Sequence, residues 1–190
     1  MTPASLHLVE IIAALFTLTV FAMVMQFRSA SHIRLYALQS LLMALLGVID
    51  GVSTGDPEFW FGAGFTLLLK VILVPVFLHR LVARLELRQE GAAYLSPSSA
   101  ILLTGALTFL SFSLARSVIA PGTGRFITLA AAFAGICGGL LLMVIRRKAV
   151  TQVFGLLTFE NALQLVIYSL TGGMTLLVEV GVAFDLLVAV

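Results

Sequence analysis

The sequence is divided into long apolar runs by short polar or glycine- and proline-containing breaks. An α-helix needs about 20 mostly apolar residues to cross a bilayer, and a chain in lipid must satisfy its backbone hydrogen bonds internally. Runs of this length therefore predict an all-α, polytopic transmembrane bundle of about seven helices. The predicted helices are Leu8–Phe27, Ile33–Ile49, Phe59–Leu78, Ser99–Ala115, Ile127–Ile145, Val150–Leu170 and Met174–Val190.

The composition fits a chain that lies mostly in lipid. Hydrophobic residues are 61% and charged residues 11% of the chain, whereas soluble domains carry about 25% charged residues. The net charge of +2 is too small to indicate nucleic-acid binding. The single cysteine, Cys137, excludes an intrachain disulfide and any cluster of cysteine ligands.

The first and the last apolar runs lead to two further predictions. The first apolar run has neither the basic start nor the small-residue cleavage site of a signal peptide, so we expect it to be a retained helix. The last predicted helix stops at Val190 without a polar cap or a basic flank. We therefore expect the natural chain to continue beyond it.

Lysine and arginine are concentrated in alternate breaks, which predicts an orientation in the membrane. Eight of them lie in the breaks after the first, third and fifth helices, and two lie in the opposite breaks. Basic loops face the cytoplasm, so we expect the N-terminus to be outside. The Asp50–Glu58 break is predicted to be an acidic loop. The expected parts are a three-helix unit at 1–95, a connecting helix and loop at 96–126, and a second three-helix unit at 127–190.

Four charged residues lie deep inside the predicted spans, away from the membrane edges. A lysine or aspartate at the centre of a membrane helix costs about 2.5–3.5 kcal/mol on insertion scales, so these residues are expected to be paired, hydrated or functional. Pro75 follows one of them by five residues, and its missing N–H is expected to open the helix there. The four residues are Lys70, Glu160, Glu179 and Asp185.

The two glutamates are expected to face each other across neighbouring helices. Glu160 lies about 15 Å before the turn at 171–173 and Glu179 about 9 Å after it, at 1.5 Å per residue. Since the turn is very short, its flanking helices should be antiparallel neighbours, and the pair would form one step of a proton or ion path. Asp185 is the reserve candidate for the second position, and a purely structural pairing with Lys70 or with a neighbouring subunit is the alternative. The candidate polar supports are Gln39, Asn161 and Gln164.

Two other patterns have simpler interpretations. Glu10 lies in the first turns of the first helix, where it can reach the headgroups. Ala131, Gly135 and Gly139 recur every four residues in the fifth helix. This spacing favours close packing against another helix, and a dedicated docking face for a partner is the alternative.

No motif in the sequence indicates catalysis or a resident cofactor. The chain has no glycine-rich phosphate loop, no HExxH and no defensible Ser/His/Asp arrangement. Its three histidines, His7, His32 and His79, are scattered near predicted membrane edges. We therefore expect a non-catalytic chain with no metal or cofactor of its own.

The segment VIRRKAVTQVFGLLTFENALQL resembles the K-type subunit of respiratory complex I and the C-type subunit of Mrp cation antiporters. In those families a short basic turn precedes a helix with a mid-membrane glutamate, and a later helix brings a second glutamate. The basic turn matches residues 146–148, the first glutamate matches Glu160, and the second matches Glu179. The resemblance implies that both glutamates lie on an ion path through the membrane, in a K-like unit at 127–190.

Most of the chain resembles the hydrogenase-4 component E family, membrane subunits of complex-I-like, energy-converting nickel–iron hydrogenases. The resemblance implies a subunit of the prokaryotic inner membrane that contributes to proton or sodium translocation. Its partners would be the lipid bilayer and other membrane subunits, antiporter-like ones included, with nickel–iron and iron–sulfur centres in partner subunits. A Mrp-like antiporter subunit and a purely structural scaffold are the alternatives. The matching stretches are YALQSLLM, LLLKVILVPV, FENALQLV and LLVEVGVAFDLLVAV, which contain Gln39, Lys70, Glu160, Glu179 and Asp185.

Overall fold

The computed structural model describes residues 3–84, 93–121 and 123–171, and within these ranges the regular structure is helical, with no β-strand. Among the described residues, six helices are long and apolar enough to cross a membrane, so the predicted all-α transmembrane bundle is confirmed. The seventh predicted helix lies outside the described residues, and the orientation and the three-part division stay predictions. The helices are α1 (Pro3–Met25), α2 (Ser29–Thr54), α3 (Pro57–Arg84), α4 (Pro97–Val118), α5 (Gly124–Ile145) and α6 (Ala149–Thr171).

The second helix extends further than its sequence predicted. We expected a loop from Asp50 onward, but Asp50 is buried within α2, which continues to Thr54. The charge can stay in the helix because its carboxylate accepts a hydrogen bond from the Tyr168 hydroxyl at 3.2 Å. The helix then ends at Gly55, whose φ of 72° lies in the left-handed region that glycine adopts without a steric penalty.

The helix α5 lies at the centre of the described part of the bundle. It packs against α1, α4 and α6, while α2 packs against α1, α3 and α6. By contrast, α4 lies at the periphery, where Leu102 and Phe109 are 74% and 76% exposed. Large apolar side chains on an outer helix face suit contact with lipid, so the bundle turns its polar groups inward and its apolar groups outward.

The small-residue stripe of α5 packs directly against α6. A methyl group added at Gly139 would lie 2.8 Å from the carbonyl oxygen of Gly155, and one added at Gly155 would lie 2.7 Å from the carbonyl oxygen of Gly139. One added at Gly135 would lie 2.7 Å from the Cβ atom of Ala162. The interpretation of the stripe as a close helix contact is therefore confirmed, and α6 is held against α5 backbone to backbone.

We predict that Gly139→Ala destabilises the folded chain by about 1–3 kcal/mol, the usual cost of overpacking. The new methyl group would meet backbone atoms of α6, which cannot rotate away. The measurement is the free energy of unfolding in mixed detergent micelles. Gly105→Ala in α4 is the matched control, because nothing lies within 4 Å of the methyl group it would add. Equal stability of both variants would contradict the proposed contact.

One residue of the basic turn, Arg146, is buried rather than solvated. Its Nη2 donates hydrogen bonds to the carbonyl oxygen of Val24 at 2.7 Å and to that of Gln26. Its guanidinium lies 4.5 Å from the centre of the Phe27 ring. The last carbonyl groups of a helix lack partners within the helix, so Arg146 caps the end of α1 and ties it to the turn between α5 and α6.

Arg146→Met is expected to destabilise the chain much more than Arg147→Met. Hydrogen bonds to a charged group contribute about 1.5–3 kcal/mol each, and Arg146 donates at least two of them. Arg147 is exposed and stacks on the Tyr94 ring at 4.4 Å, a contact that contributes about 0.5–1 kcal/mol at exposed sites. Melting temperatures of the two purified variants should show the difference, and a smaller loss for Arg146→Met would refute the capping role.

Candidate functional site

The centre of α3 departs from α-helical geometry around its lysine. Leu67–Leu73 is π-helical, and the N–H of Val74 bonds to the carbonyl oxygen of Leu69, five residues back. Pro75 follows directly, and its ring would clash with a carbonyl group in a regular α-helix. The wider turn relieves this crowding, as we expected from the proline. Wide turns of this kind frequently occur at functional sites.

Lys70 lies within this π-helical segment and points into the bundle. The residue is 3% exposed, and its Nζ donates a hydrogen bond to the Asn161 Oδ1 of α6 at 3.1 Å. The amide of Asn161 in turn donates from Nδ2 to the Ser40 Oγ of α2 at 3.4 Å. Asn161 and Ser40 are both fully buried. A chain of polar contacts thus joins α3, α6 and α2 in the membrane interior, and we call Lys70, Asn161 and Ser40 the polar cluster.

Glu160 lies directly beside the polar cluster in sequence and is half-buried. Its carboxyl group is near enough to the Tyr36 hydroxyl of α2 for an electrostatic interaction. The carboxylate that sequence reasoning singled out therefore faces the same part of the bundle as the cluster. Its role as an ion carrier stays a prediction.

The two glutamine amides are buried without hydrogen bonds. Gln39 is 0% exposed and Gln164 is 1% exposed. Neither the oxygen nor the nitrogen of either side chain has a partner within the described part of the chain. Buried polar groups in native proteins are nearly always bonded to protein or to ordered water. These two amides therefore mark places where water or a partner group is needed.

The other predicted positions lie at the edge of the structure or outside it. Glu179 and Asp185 fall outside the described residues, so the expected pairing of Glu160 with either residue stays a prediction. Glu10 forms a contact of 3.5 Å with the His7 ring in the first turns of α1, which fits its interfacial assignment. No group of three or more His, Cys, Asp or Glu side chains within the described ranges could hold a metal ion.

Sequence reasoning missed a second polar contact between α2 and α6. The hydroxyl of Tyr168 donates to Asp50 Oδ1 at 3.2 Å, and the two residues are 4% and 1% exposed. Asp50 was taken for a loop residue because it ends an apolar run. A usable signal was the spacing of eleven residues from Gln39 to Asp50, which is about three helical turns and places both on one face of a continuous helix.

Several known proteins are similar in sequence to this chain over most of its length. The uncharacterized protein Rv0085 of Mycobacterium tuberculosis is 30% identical over 160 residues, which cover 83% of this chain and 73% of that protein. The chain belongs to the Rv0085 family. No family model and no solved structure matches the chain.

A more distant relative of this chain is named as a component of a complex. Hydrogenase-4 component E of Escherichia coli, like that of Shigella flexneri, is 28% identical over 156 residues, which cover 82% of this chain and 72% of that protein. The resemblance to hydrogenase-4 component E is thus supported as distant homology over most of the chain. Together with the six apolar helices, this makes the chain an integral membrane protein.

We predict that Asn161→Leu destabilises the chain by about 1.5–3 kcal/mol, because the buried Lys70 ammonium loses a hydrogen bond to the amide oxygen. The same substitution should cost less in a Lys70→Met background, where no ammonium is left. A double-mutant cycle of unfolding free energies measures this coupling. Purely additive effects would show that the contact between α3 and α6 contributes nothing to stability.

Proposed function

We propose that the chain is a non-catalytic membrane subunit of a hydrogenase-4-type, complex-I-like assembly. In this assembly it carries part of the path by which protons or sodium ions cross the membrane. Nickel–iron and iron–sulfur centres belong to partner subunits, and this chain supplies only a part of the ion path. The assembly would lie in the inner membrane of a prokaryotic cell.

The polar cluster is the observation that carries this proposal. A buried lysine in an apolar bundle is costly, and an apolar residue of similar volume is often neutral or more stabilising than a buried charge. Lys70 has nevertheless been accommodated, with a wide helical turn behind it and the Asn161 amide in front. Ionisable groups inside membrane helices usually serve ion or proton paths. A structural contact alone would not need the charge.

The distant homology to hydrogenase-4 component E supports the choice of assembly. A chain with this similarity over most of its length is expected to occupy an equivalent position among other membrane subunits. The polar cluster and Glu160 lie where such a subunit would need ionisable groups, at mid-depth in the helices. Both considerations favour a subunit that couples redox chemistry in its partner subunits to ion movement across the membrane.

Each residue has a distinct role in the proposed path. Glu160 takes up and releases the ion, which for a proton means that a carboxyl O–H bond forms and then breaks. Lys70 supplies a positive field that favours the carboxylate, and the Asn161 amide oxygen holds the ammonium in place. Glu179 or Asp185 would receive the proton next, as an unprotonated carboxylate. With sodium as the ion, carboxylate and amide oxygens would bind it directly.

We predict that Glu160→Gln leaves the assembly intact but lowers hydrogenase-driven ion pumping by at least about tenfold, since an amide cannot carry the proton. The measurement is acidification of inverted membrane vesicles, recorded with a pH-sensitive dye while hydrogenase turnover is assayed in parallel. Glu58→Gln is the control, because Glu58 is an exposed carboxylate near the end of the bundle.

The other outcomes separate the alternatives. Undiminished pumping by an intact Glu160→Gln assembly would contradict the ion path and favour a scaffold. Co-purification with antiporter subunits and with no hydrogenase subunit would favour an antiporter assembly of the Mrp type. Loss of pumping in both glutamate variants would point to a general defect in the vesicles.

A further inference from the structure

The contact between α2 and α6 contains a buried carboxyl group that the proposed path has not used. Asp50 is 1% exposed, and Oδ1 accepts the hydrogen bond from Tyr168. Its second oxygen, Oδ2, is buried without a partner within the described ranges. One hydrogen bond is few for a buried carboxylate, which has about four acceptor sites. The unfilled sites are buried in the bundle, where ordered water is the usual partner of such groups.

Polar groups continue from Asp50 toward the polar cluster along the same helix faces. Gln164 lies four residues before Tyr168 and three after Asn161, so the three share one face of α6. The Gln164 amide is buried and lacks partners in the described part of the chain. It therefore lies between the polar cluster and the contact of Tyr168 with Asp50, and its amide is available to bind water.

The distances suit a short line of water molecules. Seven residues separate Asn161 from Tyr168, which is about 10 Å along a helix. With donors and acceptors about 2.8 Å apart, two or three waters and the Gln164 amide would span this interval. Asp50 itself lies four residues before the end of α2, about 6 Å from it. Arg125, at the start of α5, is close enough to Tyr168 to interact electrostatically.

We propose that Asp50 is the proton-exchange group at one end of a hydrated path between α2 and α6, whose other end is the polar cluster. The proposal rests on the proposed function and adds to it the end at which protons enter or leave. In one transfer the O–H bond of protonated Asp50 breaks and the proton passes to a bridging water, which releases one of its own protons along the line of water toward the Glu160 carboxylate. The Asp50 carboxylate keeps the electron pair and the hydrogen bond from Tyr168. A proton from the aqueous end then restores the carboxyl group.

The hydration of this path can be tested without any pumping assay. Hydroxyl-radical labelling of the chain in lipid nanodiscs modifies side chains that lie beside bound water. Tyr168 is expected to be labelled about tenfold faster than Phe16, which is 0% exposed in the same apolar cluster, because only Tyr168 would lie beside the line of water. Gln164→Leu should lower the labelling of Tyr168 by removing a partner of the water. Equal and slow labelling of Tyr168 and Phe16 would overturn the hydrated path.

The role of Asp50 is tested by Asp50→Asn in the intact assembly. Asparagine keeps the shape of the side chain and the acceptor for Tyr168 but cannot exchange a proton. We expect pumping to fall by at least about tenfold, with hydrogenase turnover retained and partial recovery in Asp50→Glu. Asp56→Asn is the matched control, because Asp56 is an exposed carboxylate six residues away whose capping hydrogen bond from the Glu58 N–H asparagine can also accept.

A comparison with Glu160→Gln separates the two proposals. If Glu160→Gln abolishes pumping while Asp50→Asn pumps normally, the exchange role of Asp50 is wrong and the proposed function stands. If both variants pump normally in intact assemblies, the proposed function fails as well. If Asp50→Asn does not assemble, Asp50→Glu is used instead. Normal pumping by the Asp50→Glu assembly, together with no labelling of Tyr168, would show that pumping does not need the hydrated path and would overturn it.

Discussion

Gly139 and Gly155 let the backbones of α5 and α6 touch, and the arrangement of the interior follows from that contact. Lipid tails are as apolar as leucine, so helices in a membrane associate through close packing and interhelical hydrogen bonds rather than through the hydrophobic effect. With each glycine facing a carbonyl oxygen of the opposite helix, α6 has little freedom to slide or rotate against α5. Its other face is thereby presented to α2 and α3, and that face carries Asn161.

Several buried polar side chains lie at the interface between α2 and α6. On α2 these groups recur along one face: His32 near one end, Ser40 near the middle and Asp50 near the other end. Both ring nitrogens of His32 lie 3.1 Å from backbone carbonyl oxygens, and the ring stacks on Phe154 of α6. Polar groups without hydrogen-bond partners are costly in lipid. The helix therefore turns its polar face toward the protein and its apolar face toward the lipid.

Two kinds of buried polar contact are present, and they differ in what they do for the fold. Arg146 donates to carbonyl groups at the end of α1 and so closes a helix end that would otherwise lack partners. Lys70 donates to the neutral side-chain amide of Asn161, in a helix segment already widened near Pro75. The first contact stabilises the bundle, whereas the second keeps a charge at mid-depth where electric fields act strongly. This contrast is why we propose a functional role for Lys70 and a structural one for Arg146.

The apolar runs by themselves determined the membrane setting, the all-α class and the first six helices, because bilayer thickness and backbone hydrogen bonding leave a chain of this composition few other choices. They also singled out Lys70, since a charge in an apolar run is conspicuous without any structure. Only the tertiary structure decided that Asn161 is a partner of Lys70, because 91 residues separate them and helix rotation sets which faces meet. For the same reason Asp50 was mistaken for a loop residue: its place in α2 depends on Tyr168, 118 residues later in the chain, which donates a hydrogen bond to its carboxyl group in the bundle.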